Sequence, residues 1–146
     1  MTKYVTKESL FELHSITNPV LAPNEQEAIF VRTQINEKEN NYEAHLFHID
    51  LNVGEVTQWT YGNERISSPQ WSPNGKQVAF LVKRKEKNQL YILNSRGGEA
   101  QEITTLPNGV NSFLWSPCGE KVWITSSVKS GLAIMDEEER WTFLDL

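Results

Sequence analysis

The stretch WSPNGKQVAF, residues 71–80, returns in nearly the same words as WSPCGEKVWI at 115–124. Anchored on Pro73, the phrase reads Trp-Ser before the proline, Asn-Gly after it, and then the apolar run Val78-Ala79-Phe80-Leu81-Val82. Anchored on Pro117, it reads Trp115-Ser116, Cys118-Gly119 and Val122-Trp123-Ile124. A fainter copy surrounds Pro23 in LAPNEQEAIFV, where Ala28-Ile29-Phe30 fall at the same offsets. The prolines lie 50 and then 44 residues apart. That period is close to the ~40–50 residues of one propeller blade.

Two further blocks repeat in phase. LFHID (46–50), LYILN (90–94) and LAIMD (132–136) align without gaps, each ending in Asp or Asn. VGEVTQWT (53–60) and GGEAQEIT (97–104) follow, with ERWTFLDL (139–146) as a weaker counterpart. Each unit therefore reads as four short strands. One ends at Trp-Ser-Pro, one follows the glycine, one is of the LYILN type, and one ends near a threonine.

The repeated phrase is a turn signal. Proline presets φ at the first turning position, asparagine tolerates the next, and glycine takes positive φ without a Cβ clash. Glu25 stands in the glycine slot of the first unit, which predicts a strained or differently built turn. The strand after the turn is apolar on both faces, with Val78 and Phe80 pointing one way and Ala79 and Leu81 the other. Such a strand needs cover on each side, which face-to-face stacked sheets provide.

The fold expected is all-β: about three four-stranded antiparallel β-propeller blades preceded by a short N-terminal helix. KESLFELHSI places Leu10, Leu13 and Phe11 at helical spacing, so residues 1–17 are expected to be helical. Blade 1 then spans 18–60, blade 2 spans 61–104 and blade 3 spans 105–146, all in one partial propeller domain of residues 1–146. Three blades are fewer than a closed ring uses, leaving open blade edges and an apolar patch at residues such as Trp123 or Leu132. Either the chain is the N-terminal part of a longer polypeptide, or copies associate as a homo-oligomer through those edges, two half-rings making six blades.

The bulk numbers narrow the partners. Fourteen basic and nineteen acidic residues in 146 give a formal net charge of −5, which points to no nucleic acid and no anionic membrane as partner. No apolar run approaches the ~20 residues of a membrane span. MTKYVTKESLFELHS carries no continuous apolar core of a secretory signal. The single Cys118 cannot form an internal disulfide, and a cytoplasmic location is expected.

Catalytic chemistry is not expected from these residues. No Gly-x-Ser-x-Gly elbow promotes a serine to a nucleophile. His45 and His48 are expected on opposite strand faces, where they cannot share an ion, and His48 aligns with Ile92 and Ile134 in the repeat. His14 has no ligand partner at suitable spacing. The basic run Lys83-Arg84-Lys85-Glu86-Lys87, the loop NEKEN (36–40) and the acidic run 136–139 read as solvated hairpin tips. Gly97-Gly98 reads as a turn and not a phosphate loop. Cys118 has no basic neighbour in sequence and is expected to be inert. Trp71 and Trp115 read as packing residues, whereas Trp59, Trp123 and Trp141 differ between units and leave a ligand or interface role open. The expectation is therefore no catalytic residue, no cofactor and no metal.

The opening TKESLFELHSITNPVLAPNEQEAIFV resembles the start of bacterial acylaminoacyl-peptidase-like members of the prolyl oligopeptidase family, departing from their Asp-Pro-x-Leu-Ser-Pro-Asp-Gly pattern at Asn18, Ala22 and Glu25. The Trp-Ser-Pro-x-Gly units are similar both to that family's propeller and to the periplasmic Tol-system propeller. The first resemblance implies a propeller that filters short peptide substrates for a C-terminal α/β-hydrolase domain with a Ser-Asp-His triad, none of which lies in this chain. The second implies a protein-interaction module without a hydrolase.

Overall fold

The computed structural model describes Ser9, residues 12–62 and 64–127, and the backbone of 143–145. The described residues form an all-β structure of eleven strands without an α-helix. The first sheet holds β1 (His14–Leu21), β2 (Glu27–Asn36), β3 (Asn41–Asp50) and β4 (Val56–Gln58) in the order β1-β2-β3-β4. The second holds β5 (Ile66–Trp71), β6 (Gln77–Arg84), β7 (Lys87–Asn94) and β8 (Gln101–Glu102) in the same sequential order. The third runs β11-β10-β9, from β9 (Ser112–Trp115), β10 (Lys121–Thr125) and β11 (Phe143–Asp145). All recorded strand pairs are antiparallel. Neighbour-on-neighbour antiparallel sheets of this kind are propeller blades. The chain divides into two compact units, Met1–Pro69 and Gln70–Leu146.

The Ser-Pro-x-Gly turns show why their residues recur. Gly75 N donates to Ser72 O (2.9 Å) and Gly119 N to Ser116 O (2.9 Å), with the glycines at φ +70° and +74°. The serine adds a second bond. Its Oγ accepts from Gln77 N (3.0 Å) in one turn and from Lys121 N (3.0 Å) in the other, so a buried hydroxyl ties the hairpin base. The first unit keeps the same backbone, with Glu25 N donating to Ala22 O at 2.9 Å, and forces Glu25 to φ +59°. The expected strain is therefore present in a turn of unchanged build. Because a non-glycine residue in that region costs about 1–2 kcal/mol, Glu25→Gly is expected to stabilise the chain by about 1 kcal/mol after the extra unfolded-state entropy of glycine is subtracted. Urea unfolding checks it through a higher midpoint at unchanged slope.

The threonines that close the third block also gain a reason. β4 and β8 end early, and the next hydrogen bond of the ladder is made by a side chain. Leu46 N donates to Thr60 Oγ1 (2.9 Å) and Leu90 N to Thr104 Oγ1 (2.9 Å), while Trp59 N and Ile103 N return bonds to Leu46 O and Leu90 O (2.8 Å each). The chain can then leave the sheet edge without orphaning a buried amide.

The double-faced apolar strand is β6, where Val78 to Val82 are all at most 2% exposed. Ala79 and Leu81, with Leu90 and Ile92 across from them, join Phe113, Trp115, Val122 and Ile124 of the third sheet and Val110 of the connecting loop in one apolar cluster. The Trp115 indole also donates to Gln70 O at 3.3 Å. Trp71 and Trp115, each 7% exposed, are packing residues.

Two expectations are corrected. Residues 14–17 are not helical: they pair with β2 from His14↔Gln34 to Thr17↔Val31. Leu13 and Ile16 are 61% and 64% exposed, so the apolar spacing buries no helical face there, and the ladder bonds to β2 prevail over local periodicity. The rest of the helical expectation, apart from Ser9 and residues 12–13, lies outside the described residues. Second, ERWTFLDL does not supply a fourth strand. Phe143, Leu144 and Asp145 pair with Trp123, Val122 and Lys121. In the second sheet Ile92, Leu93 and Asn94 pair with Ala79, Val78 and Gln77, and in the first His48, Ile49 and Asp50 pair with Ile29, Ala28 and Glu27. Phe143-Leu144-Asp145 is thus the register equivalent of His48-Ile49-Asp50 and Ile92-Leu93-Asn94. The gap-free alignment through LAIMD assumed a constant hairpin length between the second and third strands; those five residues lie outside the described ones.

A left-handed residue before proline recurs on the first strand of two sheets. β1 bulges between Thr17 and Val20, with Asn18 at φ +51° before Pro19. Ser68, at φ +52° before Pro69, stands at the same offset from its turn in the second sheet. Proline lacks the N–H that a regular ladder would require, and a bulge is where a strand tolerates that.

Candidate functional site

The side chains singled out in the sequence are held apart by the sheets. His45 and His48 occupy opposite faces of β3. His48 Nε2 lies 2.6 Å from Glu27 Oε2, and its ring stacks on Trp59 with centroids 4.7 Å apart and planes 7° from parallel. Glu27 and Trp59 sit diagonally across from His48 on the flanking strands, so the alternation of the pleat puts all three on one face. His48 is half-buried and structurally engaged, in the place Ile92 fills in the second sheet.

His45, 4% exposed, faces the other way, with Nε2 at 3.7 Å from Glu43 Oε2. The Glu43 carboxyl is held below its ordinary value, chiefly by the hydrogen bond from the Asn36 amide, against the opposing effect of burial and with help from Gln34 and His45. Among the described residues no group of three His, Cys, Asp or Glu side chains is placed to hold a metal ion.

Cys118 is exposed at the tip of the third sheet's turn. Its thiol pKa is lowered, first by the Ser116 hydroxyl at 3.2 Å and then by the Glu120 backbone, outweighing the Glu120 charge. Cys118 is therefore not inert as its lack of basic sequence neighbours suggests, because the turn itself supplies hydrogen bonds that no sequence neighbour reveals. Because Ser116 Oγ already accepts from Lys121 N, its proton is free to point at sulfur. The thiolate is the reactive form, so alkylation by iodoacetamide is expected to reach half its limiting rate at a lower pH than it does for a free cysteine. Ser116→Ala is expected to move that midpoint upward.

The hairpin tips carry charge without converging on anything. Lys83 Nζ pairs with Glu86 Oε2 at 2.7 Å, and the Arg84 guanidinium lies 5.5 Å over the Tyr91 ring with its Nε donating to the phenol oxygen (3.1 Å).

The described residues of the second unit form several concavities, one of them of about 220 Å³ and lined by Lys76, Asn94, Ser95 and Arg96. A polar cleft of about 410 Å³ is lined by Glu86, Lys87, Asn88, Asn108, Asn111 and Ser127, with Val110 at its base. Asn108 Nδ2 donates to Ser127 O (2.7 Å) and Asn111 Nδ2 to Ser127 Oγ (3.0 Å), so these amides brace the loop before β9. An apolar groove of about 280 Å³ on the third sheet is lined by Phe113, Leu114 and Trp123 between Ser112 and Thr125. Leu114 is 63% exposed. The apolar patch expected at Trp123 is present; Leu132, the other residue named for it, and Trp141 lie outside the described residues. Among the described residues, none of these concavities brings a nucleophile and a base together.

Comparison with known proteins adds the decisive observation. Residues 22–125 match the family described as the dipeptidyl peptidase IV N-terminal region. The chain belongs to this family. It is 36% identical over 140 residues to the uncharacterized peptidase YuxL of Bacillus subtilis, covering 95% of this chain and 21% of that protein. It is 24% identical over 125 residues to dipeptidyl-peptidase 5 of Porphyromonas endodontalis, covering 86% and 18%. The chain thus spans about a fifth of the length of these relatives. Among solved structures, acylaminoacyl peptidase of Pyrococcus horikoshii superposes with a TM-score of 0.68 at 19% identity, over 88% of this chain and 20% of that one. The β-propeller domain of the Trilobed protease from Pyrococcus furiosus superposes with a TM-score of 0.60 at 20% identity, over 76% and 33%. These likenesses establish the propeller fold, and the family match places the chain as the N-terminal propeller region of peptidase-family proteins.

Proposed function

We propose that this chain is the non-catalytic, substrate-gating propeller portion of a serine peptidase of the prolyl oligopeptidase family, acylaminoacyl-peptidase-like, acting on short peptides in the cytoplasm. The observation that carries the reading is the family match over residues 22–125. The peptidase relative that parallels 95% of the chain supports it. The propeller fold supports the gating role: stacked blades make a rigid body, and such a body set beside a hydrolase domain would admit extended peptides and exclude folded ones. The partner in this reading is a C-terminal α/β-hydrolase domain.

Two assays test it. The 146-residue chain alone is expected to hydrolyse no peptide substrate, and turnover by it would sink the reading. The full product of the source gene is expected to cleave short peptides, and to admit longer ones when this segment is deleted. A Tol-type interaction module is the competing reading, favoured by a 49-residue stretch 37% identical to the Tol-Pal system protein TolB of Legionella pneumophila, 34% of this chain. A source gene without a Gly-x-Ser-x-Gly elbow would decide for that alternative.

A further inference from the structure

The loop that leads into a sheet's first strand occurs twice, and its two copies differ at one telling position. Residues 60–71 and 104–115 align without gaps, from Thr60 on Thr104 to Trp71 on Trp115. Arg65 therefore corresponds to Gly109, and on the same offset Tyr42 and Ala44 correspond to Glu86 and Asn88. In the first unit the loop is bonded to β3. Ala44 N donates to Glu64 O (2.8 Å), and Arg65 Nε donates to Tyr42 O (2.9 Å), so the half-buried arginine lies along the end of the hairpin.

The second unit keeps the loop in place, through Val110 N donating to Asn88 O at 2.7 Å, but Gly109 brings no side chain to the hairpin. A Cβ at this position would meet Asn88 O at 2.7 Å and Lys87 Cβ at 3.1 Å. The space that an arginine takes up beside Tyr42 is thus left open beside Glu86, and the polar cleft of about 410 Å³ lies there. Small-ligand pockets run from about 300 to 1,000 Å³.

The hydrogen-bonding groups of this cleft are half used. Asn108 and Asn111 direct their Nδ2 donors at Ser127, to its carbonyl (2.7 Å) and its hydroxyl (3.0 Å). Each amide keeps its acceptor oxygen, and a hydroxyl that accepts still has a proton to give. Among the described residues the two Oδ1 atoms, the Asn88 side-chain amide and Lys87 Nζ have no hydrogen-bond partner. Glu86, the acid of the described lining, has Lys83 Nζ at 2.7 Å, so Lys87 sets the sign of the cleft. A nucleobase would find no aromatic ring among these residues to stack on. Neutral donors and acceptors beside one ammonium match the main chain of a peptide at its carboxylate end.

We propose that the cleft binds the carboxyl terminus of a short peptide. The Lys87 ammonium takes the terminal carboxylate, the Asn88 amide and the Ser127 hydroxyl donate to main-chain carbonyls, and the Asn108 and Asn111 side-chain carbonyls accept from main-chain N–H groups. This rests on the reading of the chain as part of a peptidase for short peptides, and it names the end by which those peptides are held.

The test uses the full source-gene product, treated with phenylmethylsulfonyl fluoride so that a serine peptidase leaves the probes intact. It is titrated calorimetrically with N-acetyl-trialanine and with the C-terminal amide of the same peptide. The acid is expected to bind about fivefold more tightly than the amide. Lys87→Met is expected to abolish that difference by weakening the acid alone, and Lys87→Arg to retain it. Lys87 is exposed, so both variants are expected to keep the parent's circular dichroism spectrum. No binding, equal binding of acid and amide, a preference that survives Lys87→Met, an equal loss for both peptides in that variant, or acetate binding as tightly as the peptide acid would overturn the proposal. Hydrolysis by the untreated product judges the peptidase reading separately. A product that holds the acid through Lys87 yet cleaves nothing sinks that reading and keeps this one, and a product that cleaves peptides without the preference does the reverse.

Discussion

Trp115→Ala is expected to lower the unfolding free energy of the chain by about 3–5 kcal/mol, the largest single effect foreseen for it. The indole is 7% exposed and belongs to the apolar cluster that joins the second and third sheets. Its removal leaves a cavity between two sheets whose backbones are fixed by their own ladders, so collapse around the gap is limited. The bond from the indole to Gln70 O is lost as well. Trp115→Phe retains most of the packing and loses that bond, and should cost about 1–2 kcal/mol. Urea unfolding monitored by far-UV circular dichroism distinguishes the two. If Trp115→Ala moved the midpoint no more than Trp115→Phe, the tryptophan of the repeated phrase would not be a packing residue.

Gly109→Ala should be nearly as damaging, at about 2–4 kcal/mol, through a different cause. Gly109 has φ +71°, and a Cβ there would stand 2.7 Å from Asn88 O and 3.1 Å from Asn88 N. Those are backbone atoms of β7, held by the bond from Val110 N to Asn88 O at 2.7 Å, so they cannot swing aside. Gly97→Ala is the control: φ is +113° and nothing lies within 4 Å, so only backbone strain remains, about 1 kcal/mol. Equal costs at the two positions would show that the close approach of the loop before β9 to the β6–β7 hairpin carries no weight.

The sequence alone determined the repeating unit, its turns and the double-sided burial of β6, because these depend on short-range chemistry. Ser72-Pro73-Asn74-Gly75 can be read as a hairpin from the backbone preferences of four residues, and Val78 to Val82 as a doubly covered strand from the absence of alternation. The likeness to peptidase propellers was legible in the opening stretch TKESLFELHSITNPVLAPNEQEAIFV, whereas the Trp-Ser-Pro-x-Gly units are equally similar to Tol-system propellers. The absence of a nucleophile elbow was equally plain.

Only the tertiary structure decided the rest. Residues 14–17 became strand because β2 offered them a ladder, an energy no local window contains. Phe143-Leu144-Asp145 took the third-strand place because register follows the residues opposite it and not the count of residues in between. Thr60 and Thr104 proved to be hydrogen-bond acceptors for buried amides at sheet edges, and Ser72 for the amide at a hairpin base, which requires knowing where each strand stops. Cys118 gained its lowered pKa from the turn that holds it. Turn and strand preferences act over a few residues and are written in the chain; pairing, register and the satisfaction of buried polar atoms depend on residues brought together from tens of positions away.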